Sequence, residues 1–279
     1  MGGIYSELIN TMSTLTSTTS STRPSLGSGD VGKSYFETDS NKILVWDGSA
    51  WNEWNKDSTV SGSGNTYSVE LDGTNDNLSF GNLTNLNSAP NLSLSVWFKF
   101  DSLDSNGNMI FHSGTSPTNR FVLWSNTSNK IEVYMASGAS LTGTTTITTN
   151  TWYHASVFKN GTSASVYLDN TLEDSSSSAP STTQSTAGNG ALIGAATIYG
   201  PYYSDGYFDE VALWTSDISS SQSTLWNGGT PTNLSGLNPV HLWRMGDDDS
   251  GTGTTVTDQG SGSVNGTLNN GATFVADVA

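Results

Sequence analysis

Three consecutive aspartates, Asp247, Asp248 and Asp249 in the stretch HLWRMGDDDSG, form the densest set of potential metal ligands in the sequence. An EF-hand calcium loop needs oxygen ligands at alternate positions, a central glycine and a glutamate at its twelfth position. Counted from Asp247, Asp249 falls third, but the fifth position is Gly251 and the twelfth is Asp258. Consecutive side chains on extended backbone also point to opposite faces. The run is therefore expected to be a solvated loop between two strands. Asp209 in YFDEVALW is the better candidate, because it has the parity of Val211 and Leu213 and points to the core unless the strand bulges. A buried carboxylate has to be hydrogen-bonded or metal-bound. Two readings stay open: an aspartate satisfied by backbone or side-chain donors, and a ligand of a structural calcium ion completed by loop carbonyls and by Asp72 or Asp76 of LDGTND.

Catalysis finds little support. Glycosidic hydrolysis needs two carboxylates converging across a cleft, and the adjacent acids of FDEV lie on opposite faces of their strand. His112, His154 and His241 fall on separate predicted strands with no Ser or Asp pattern of a triad. His154 and His241 flank aromatic strands and are read as structural. Aromatic residues offer a different chemistry. Tyr199, Tyr202, Tyr203 and Tyr207 in IYGPYYSDGYF could stack on the apolar faces of sugar rings, or could pack on their own domain.

The elements that must position these residues are strands. Charged residues make up 12% of the chain, against roughly 25% in an ordinary domain. The surface must therefore be covered largely by Ser, Thr, Asn and Gly, residues that favour turns over helix interiors. The formal charge of −16, with nine Lys plus Arg, argues against nucleic acid or an anionic membrane as a partner. The chain has no cysteine, which excludes disulfides and thiolate zinc sites. No apolar run approaches the length of a membrane span. The N-terminus lacks the basic and apolar regions of a secretory signal, so synthesis and folding in a cytoplasm are expected.

Ile4, Leu8, Met12 and Leu15 share one face of a predicted N-terminal helix. A helix this short is marginal alone and needs a surface to lie on, so residues 1–22 are read as an attachment segment. Residues 23–57 form a small β meander containing Trp46, Trp51 and Trp54, too small to bury a core of its own. Residues 58–66 read as a linker. From Tyr67 to the end the pattern is all-β. In LSLSVWFKF, Leu92, Leu94, Val96, Phe98 and Phe100 lie on one face, with Ser93, Ser95, Trp97 and Lys99 on the other. RFVLW, KIEVYMA, TWYHASVFK and SASVYLD read as further strands, with a hairpin through Asn160-Gly161. One short helix is expected over ISSSQSTLW, ending before Gly228 or Gly229. The fold class is all-β, a two-sheet antiparallel sandwich.

Four pieces, in this order, resemble one family: VELDGTNDNLSF, NLSLSVWFKF, TWYHASVFKNGTSASVYLDNTL and GYFDEVALWTSDISSSQ. Together they resemble the laminin-G-like, concanavalin A-like jelly-roll domain. The closing segment from NPVHLWRMGDDDSG onward is similar to versions found in marine phage virion proteins, and residues 23–54 are similar to a module placed before receptor-facing phage domains. The resemblance implies a jelly roll on residues 67–279, and a non-enzymatic virion structural protein: a capsid decoration or fibre protein, or a tail fibre. Its implied partners are other capsid or tail proteins, further copies of itself in a homo-oligomer such as a trimer, and a host surface glycan. Ile4, Leu8, Met12, Leu15, Trp46, Trp51 and Trp54 would then serve assembly. The alternative is a bacterial carbohydrate-binding module or adhesin. Related sandwiches carry a structural calcium ion, which keeps Asp209, Asp72 and Asp76 as its expected ligands.

Overall fold

The computed structural model describes residues 16–30, 33–39, 42–46, 49, 51–54, 65–136, 139–183, 190–196 and 202–279. The predicted helix carrying Ile4, Leu8, Met12 and Leu15 lies outside the described residues, as does Tyr199. The chain divides into two units, residues 1–63 and 64–279.

The first unit is a four-stranded sheet in sequence order: β1 (Thr16–Thr18), β2 (Ser34–Glu37), β3 (Lys42–Trp46) and β4 (Trp51–Trp54). β1 pairs parallel to β2, and the other two pairings are antiparallel. Leu44 is a buried apolar residue among the described residues of this unit. Glu37 is 1% exposed and is neutralised by the Arg23 guanidinium through Nε and Nη2.

The second unit is a sandwich of two eight-stranded sheets. In the first, the strands run β11 (Ala139–Thr142), β10 (Ile131–Met135), β9 (Asn119–Ser125), β8 (Asn108–Ser116), β15 (Ala191–Ile193), β6 (Asn77–Ser79), β21 (Gly266–Asn269) and β20 (Thr255–Val256). The second runs β14 (Thr171–Ser176), β13 (Ser163–Leu168), β12 (Tyr153–Asn160), β7 (Asn91–Phe100), β18 (Asp205–Trp214), β5 (Ser68–Asp72) and β22 (Thr273–Val275), with β19 (His241–Trp243) on β18. A short ribbon joins β16 (Ala195–Ala196) to β17 (Tyr202–Tyr203). The strand pairings are antiparallel throughout this unit; tight connections join the successive strands β8 to β11 and β12 to β14, while β7 and β18 or β5 and β22 become neighbours from distant parts of the sequence.

Two-residue periodicity sets the core. Leu92, Leu94, Val96, Phe98 and Phe100 of β7 are each fully buried between the sheets. The opposite residues of β7 are buried too, because the outer face of this sheet is covered. Ser93 donates to the Ser216 carbonyl, Ser95 meets His154 at 2.8 Å, and Lys99 pairs with Asp277 near the C-terminus at 2.6 Å. The predicted helix forms as a 3-10 turn (Ser219–Ser221) running into α1 (Gln222–Trp226). Gln222 accepts from Ser156 of β12 on this face. Asn227 ends the helix in the left-handed conformation, followed by Gly228 and Gly229 at positive φ. The hairpin between β12 and β13 turns on Gly161 and Thr162, one residue later than the sequence suggests, because Asn160 still pairs with Ser163.

Removing a side chain from the doubly covered centre should be costly. Phe98→Ala is expected to lower stability by roughly 3–5 kcal/mol in urea titrations, whereas Leu172→Ala, at a residue 50% exposed, should change it by about 0.5 kcal/mol or less.

Candidate functional site

On the first sheet the inward side chains are the apolar ones. Phe121 and Leu123 of β9 and Ile131, Val133 and Met135 of β10 are fully buried in the core. The intervening residues Arg120, Val122, Trp124 and Tyr134 therefore face outward. β8 bulges at Ile110, so that Ile110 and Phe111 both enter the core while Met109 turns outward opposite Trp124. Gly114 (φ +133) lies opposite Arg120, where a Cβ would stand 2.3 Å from the Asn119 carbonyl. Only glycine lets the strands close there.

These residues build a groove of about 200 Å³ lined by Met109, Arg120, Val122, Trp124, Tyr134 and Tyr202. The rings of Trp124 and Tyr134 are 6.1 Å apart at 36°, and the Arg120 guanidinium sits 4.1 Å from the centre of the Tyr134 ring. Met109, Val122 and Ala196 form the buried apolar floor, against which Trp124, Tyr134 and Tyr202 pack. The Trp124 indole N–H is buried with no acceptor among the described residues. His112, paired with Val122 and thus on the same face, is buried with neither ring nitrogen hydrogen-bonded among the described residues. Such orphaned donors are uncommon and costly. A larger depression of about 340 Å³ lies on the other sheet, walled largely by serines; its aromatic residue, Phe158, is only 2% exposed.

Of the predicted tyrosines that lie among the described residues, only Tyr202 joins this groove. Tyr203 pairs with Ala195 in the β16–β17 ribbon. Tyr207 belongs to the other sheet, where its hydroxyl donates to Glu70 and its ring lies 4.1 Å from the Lys99 ammonium. In the first unit, Trp46 and Trp51 meet edge to face at 5.4 Å and the Trp46 indole donates to the Gly27 carbonyl, while Trp54 pairs with Ile43 across β3–β4. Trp124, Tyr134 and Arg120 were legible only as strand residues. The signal that marks them is parity: an aromatic and a cation on the face opposite Phe121 and Leu123.

The proposed calcium ligands do not come together. Asp72 pairs with Asp205, four residues along β18 from Asp209 and about 13 Å away at the usual strand rise. Asp72 accepts from the Thr74 amide, and Asp76 from the Asp72 amide. Among the described residues no group of three His, Cys, Asp or Glu side chains could hold a metal. Asp209 does not face the core, because β18 bulges: two residues, Glu210 and Val211, stand opposite the single Val96, and Glu210 adopts φ +42. Asp209 thus turns to the covered outer face, where it accepts from the Asn65 amide and the Glu210 N–H. Burial and the neighbouring Glu210 charge push its carboxyl well above the usual range.

The triple aspartate is not simply a solvated loop. Asp247 is 4% exposed at its side chain and ties three elements together. It accepts from the Thr66 and Tyr67 amides at 2.9 and 3.0 Å and from Arg244 at 2.8 Å. Arg244 also donates twice to Glu210, at 2.9 and 2.7 Å. Burial raises the Glu210 carboxyl to about 7 in spite of this guanidinium. Asp249 accepts from the Thr257 amide and hydroxyl, closing the loop, and Asp248 is the exposed member. His241 meets Asp258 at 2.6 Å, and Asn85 donates to its other nitrogen at 2.7 Å. Asp258 also accepts from the Leu242, Gly260 and Val264 amides. Burial would raise its pKa, but these bonds hold the carboxylate below its usual range. His241 is thus a buried fastener, in line with the structural reading of it.

Residues 72–222 match the Laminin_G_3 family, described as the concanavalin A-like lectin/glucanases superfamily. No curated protein matches the chain. Among solved structures, the chain is similar to a protein of Bacteroides ovatus assigned a carbohydrate-binding role, with a TM-score of 0.61 and 18% identity over 77% of this chain. The match spans 60% of that protein's length. Domain 4 of an arabinanase from Geobacillus stearothermophilus, solved with arabinotriose, gives a TM-score of 0.43 at 17% identity, over 59% of this chain and 90% of that one. A heptameric pentraxin of Limulus polyphemus gives 0.44 at 16% identity, over 58% and 80%.

Removing Arg244 would leave Glu210 and Asp247 buried and uncompensated, so Arg244→Met is expected to cost about 3–5 kcal/mol in urea titrations; a loss under about 1 kcal/mol contradicts the fastener role. Burial also lowers the His112 imidazole from 6.5 to about 4. The unfolded chain takes up a proton there that the folded chain refuses, so this contribution to stability is complete above about pH 6.5 and is lost as the pH falls toward 4. Going from pH 7 to pH 5 should therefore lower the urea midpoint more in the unmodified protein than in His112→Phe.

Proposed function

Because this chain belongs to the concanavalin A-like lectin/glucanases superfamily, we propose that its sandwich is a carbohydrate-binding module and that the groove of Trp124, Tyr134 and Tyr202 is the binding site. The observation that carries this reading is the union of half-buried aromatic rings lining a groove with a buried indole N–H that has no acceptor among the described residues. Sugar rings present apolar C–H faces to stack on aromatics and hydroxyl oxygens to accept hydrogen bonds. The fold of the Bacteroides ovatus protein supports the same reading.

Binding without hydrolysis fits the residues better than catalysis. The groove's lining residues include no carboxylate, whereas glycosidic hydrolysis calls for a facing pair. Asp209 and Glu210, the adjacent acids of β18, are both buried and engaged elsewhere.

A second role, display of the sandwich on a phage particle, is favoured by one observation: residues 1–63 form a unit of their own ahead of the sandwich. In that role the unit, with Trp46, Trp51 and Trp54, would fasten the protein to a larger assembly, and the groove would meet a cell-surface glycan. Antibody labelling of particles from producing cells should decorate virions; unlabelled virions would exclude it.

On a glycan array the intact chain is expected to retain a defined set of saccharides. Trp124→Ala and Tyr202→Ala should each weaken retention roughly tenfold or more, as losses at anchoring aromatics do. Tyr203→Ala should leave it unchanged. Equal binding by all four proteins would place the site elsewhere.

A further inference from the structure

We propose that this groove seats one terminal sugar residue, the non-reducing end of a chain or of a side branch, and does not grip the interior of a polysaccharide. The proposal rests on the reading of the groove as a saccharide site and adds which part of a glycan it recognises. A glycan anchored to a larger body presents its non-reducing ends, so these are the ends on offer.

Three observations point the same way. The first is size. Sites that enclose drug-sized ligands run from about 300 to 1,000 Å³, whereas this groove holds about 200 Å³. That space suits one ring. The second is the walls. On the β8 side stands the β16–β17 ribbon, which carries Tyr202. It is fastened there: the Ser204 hydroxyl donates to the Met109 carbonyl and the Ser204 amide to the Gly194 carbonyl, both at 2.8 Å, while the Gly194 amide donates to the Ile110 carbonyl at 3.3 Å. Before β8, the turn at 104–107 closes against the indole. Gly107 adopts φ +93, and a Cβ there would stand 2.7 Å from Cζ3 of Trp124. At the opposite end the Arg120 guanidinium lies over the Tyr134 ring. None of the six lining residues comes from β11, which leaves that side as the way in. An interior residue of a glycan continues in two directions and needs two exits; a terminal residue needs one. The third is where the rings stop. An extended chain needs successive aromatic faces along its path. Past the ribbon, the outward residues of β15, β6 and β21 are Leu192, Asn77, Ser79, Thr267 and Asn269, and none is aromatic. The Asn269 amide is already spent on Asn77 and Ser79. A second sugar ring would find no face to stack on there. The seated residue, by contrast, meets the rings and the buried Trp124 N–H, which can only donate and so takes a hydroxyl oxygen.

The test titrates the full chain calorimetrically with monovalent ligands of increasing length: the methyl glycosides of glucose, galactose, mannose, N-acetylglucosamine and fucose, and linear di-, tri- and hexasaccharides ending in each. In a series that binds, affinity should stay within roughly threefold from the single residue to the hexasaccharide, because each linear chain brings one end. Capping that hexasaccharide at its non-reducing end with a sugar whose own series does not bind should cost roughly tenfold or more. Trp124→Ala should weaken every length by the same factor. A gain above threefold on lengthening, or binding that survives the cap, would overturn this inference and leave the saccharide reading standing. Failure of every ligand to bind, or undiminished binding by Trp124→Ala, would bring down both.

Discussion

The five apolar side chains at even positions of β7, each fully buried, decide which way both sheets face. An extended chain has two sides, and once Leu92, Leu94, Val96, Phe98 and Phe100 take the inner one, Ser93, Ser95, Trp97 and Lys99 must be accommodated outside. The chain covers that outer face with its own later segments: α1, the turn before it, and the residues up to Asp277. On the other sheet the β16–β17 ribbon packs against β8, and Trp124, Tyr134 and Arg120 are outward residues beside it on β9 and β10. The groove is thus a consequence of where the polypeptide ends up after the second sheet has been sealed.

The seal depends on buried charge. Arg244 sits between Glu210 and Asp247, and Asp247 in turn holds the amides of Thr66 and Tyr67, where the sandwich begins. Asp209 holds Asn65 beside them. Buried ion pairs contribute little net stability compared with apolar packing, but breaking one is severe, and this arrangement specifies a single seating for the first residues of the unit. His241 and Asp258 do the same for the loop after β19, where Asp258 gathers three backbone amides and an imidazole.

The alternation in LSLSVWFKF, RFVLW and KIEVYMA made the sandwich readable in the sequence, because inward residues of these strands are almost all large and apolar. The short helix was readable from its spacing and its trailing glycines. The position of Asp209 was not, because one bulged residue reverses parity and a positive φ at Glu210 leaves no mark in residue type. The sequence makes Asp247 look solvated for a related reason: its partners at residues 66 and 67 are distant in sequence. Tyr202 could be singled out from its aromatic neighbourhood. Trp124, Tyr134 and Arg120 look like ordinary strand residues until the pairing of β8, β9 and β10 sets them side by side.

The most direct measurement of the central claim follows the indole N–H signals by NMR while an oligosaccharide bound by the protein is added. The chain has nine tryptophans, and loss of one signal in Trp124→Phe assigns the groove's. The account predicts that this signal shifts with the ligand and saturates, while that of Trp243, stacked on Phe80 in the core, stays in place. A titration in which Trp124 is unmoved and another exposed tryptophan responds would contradict it.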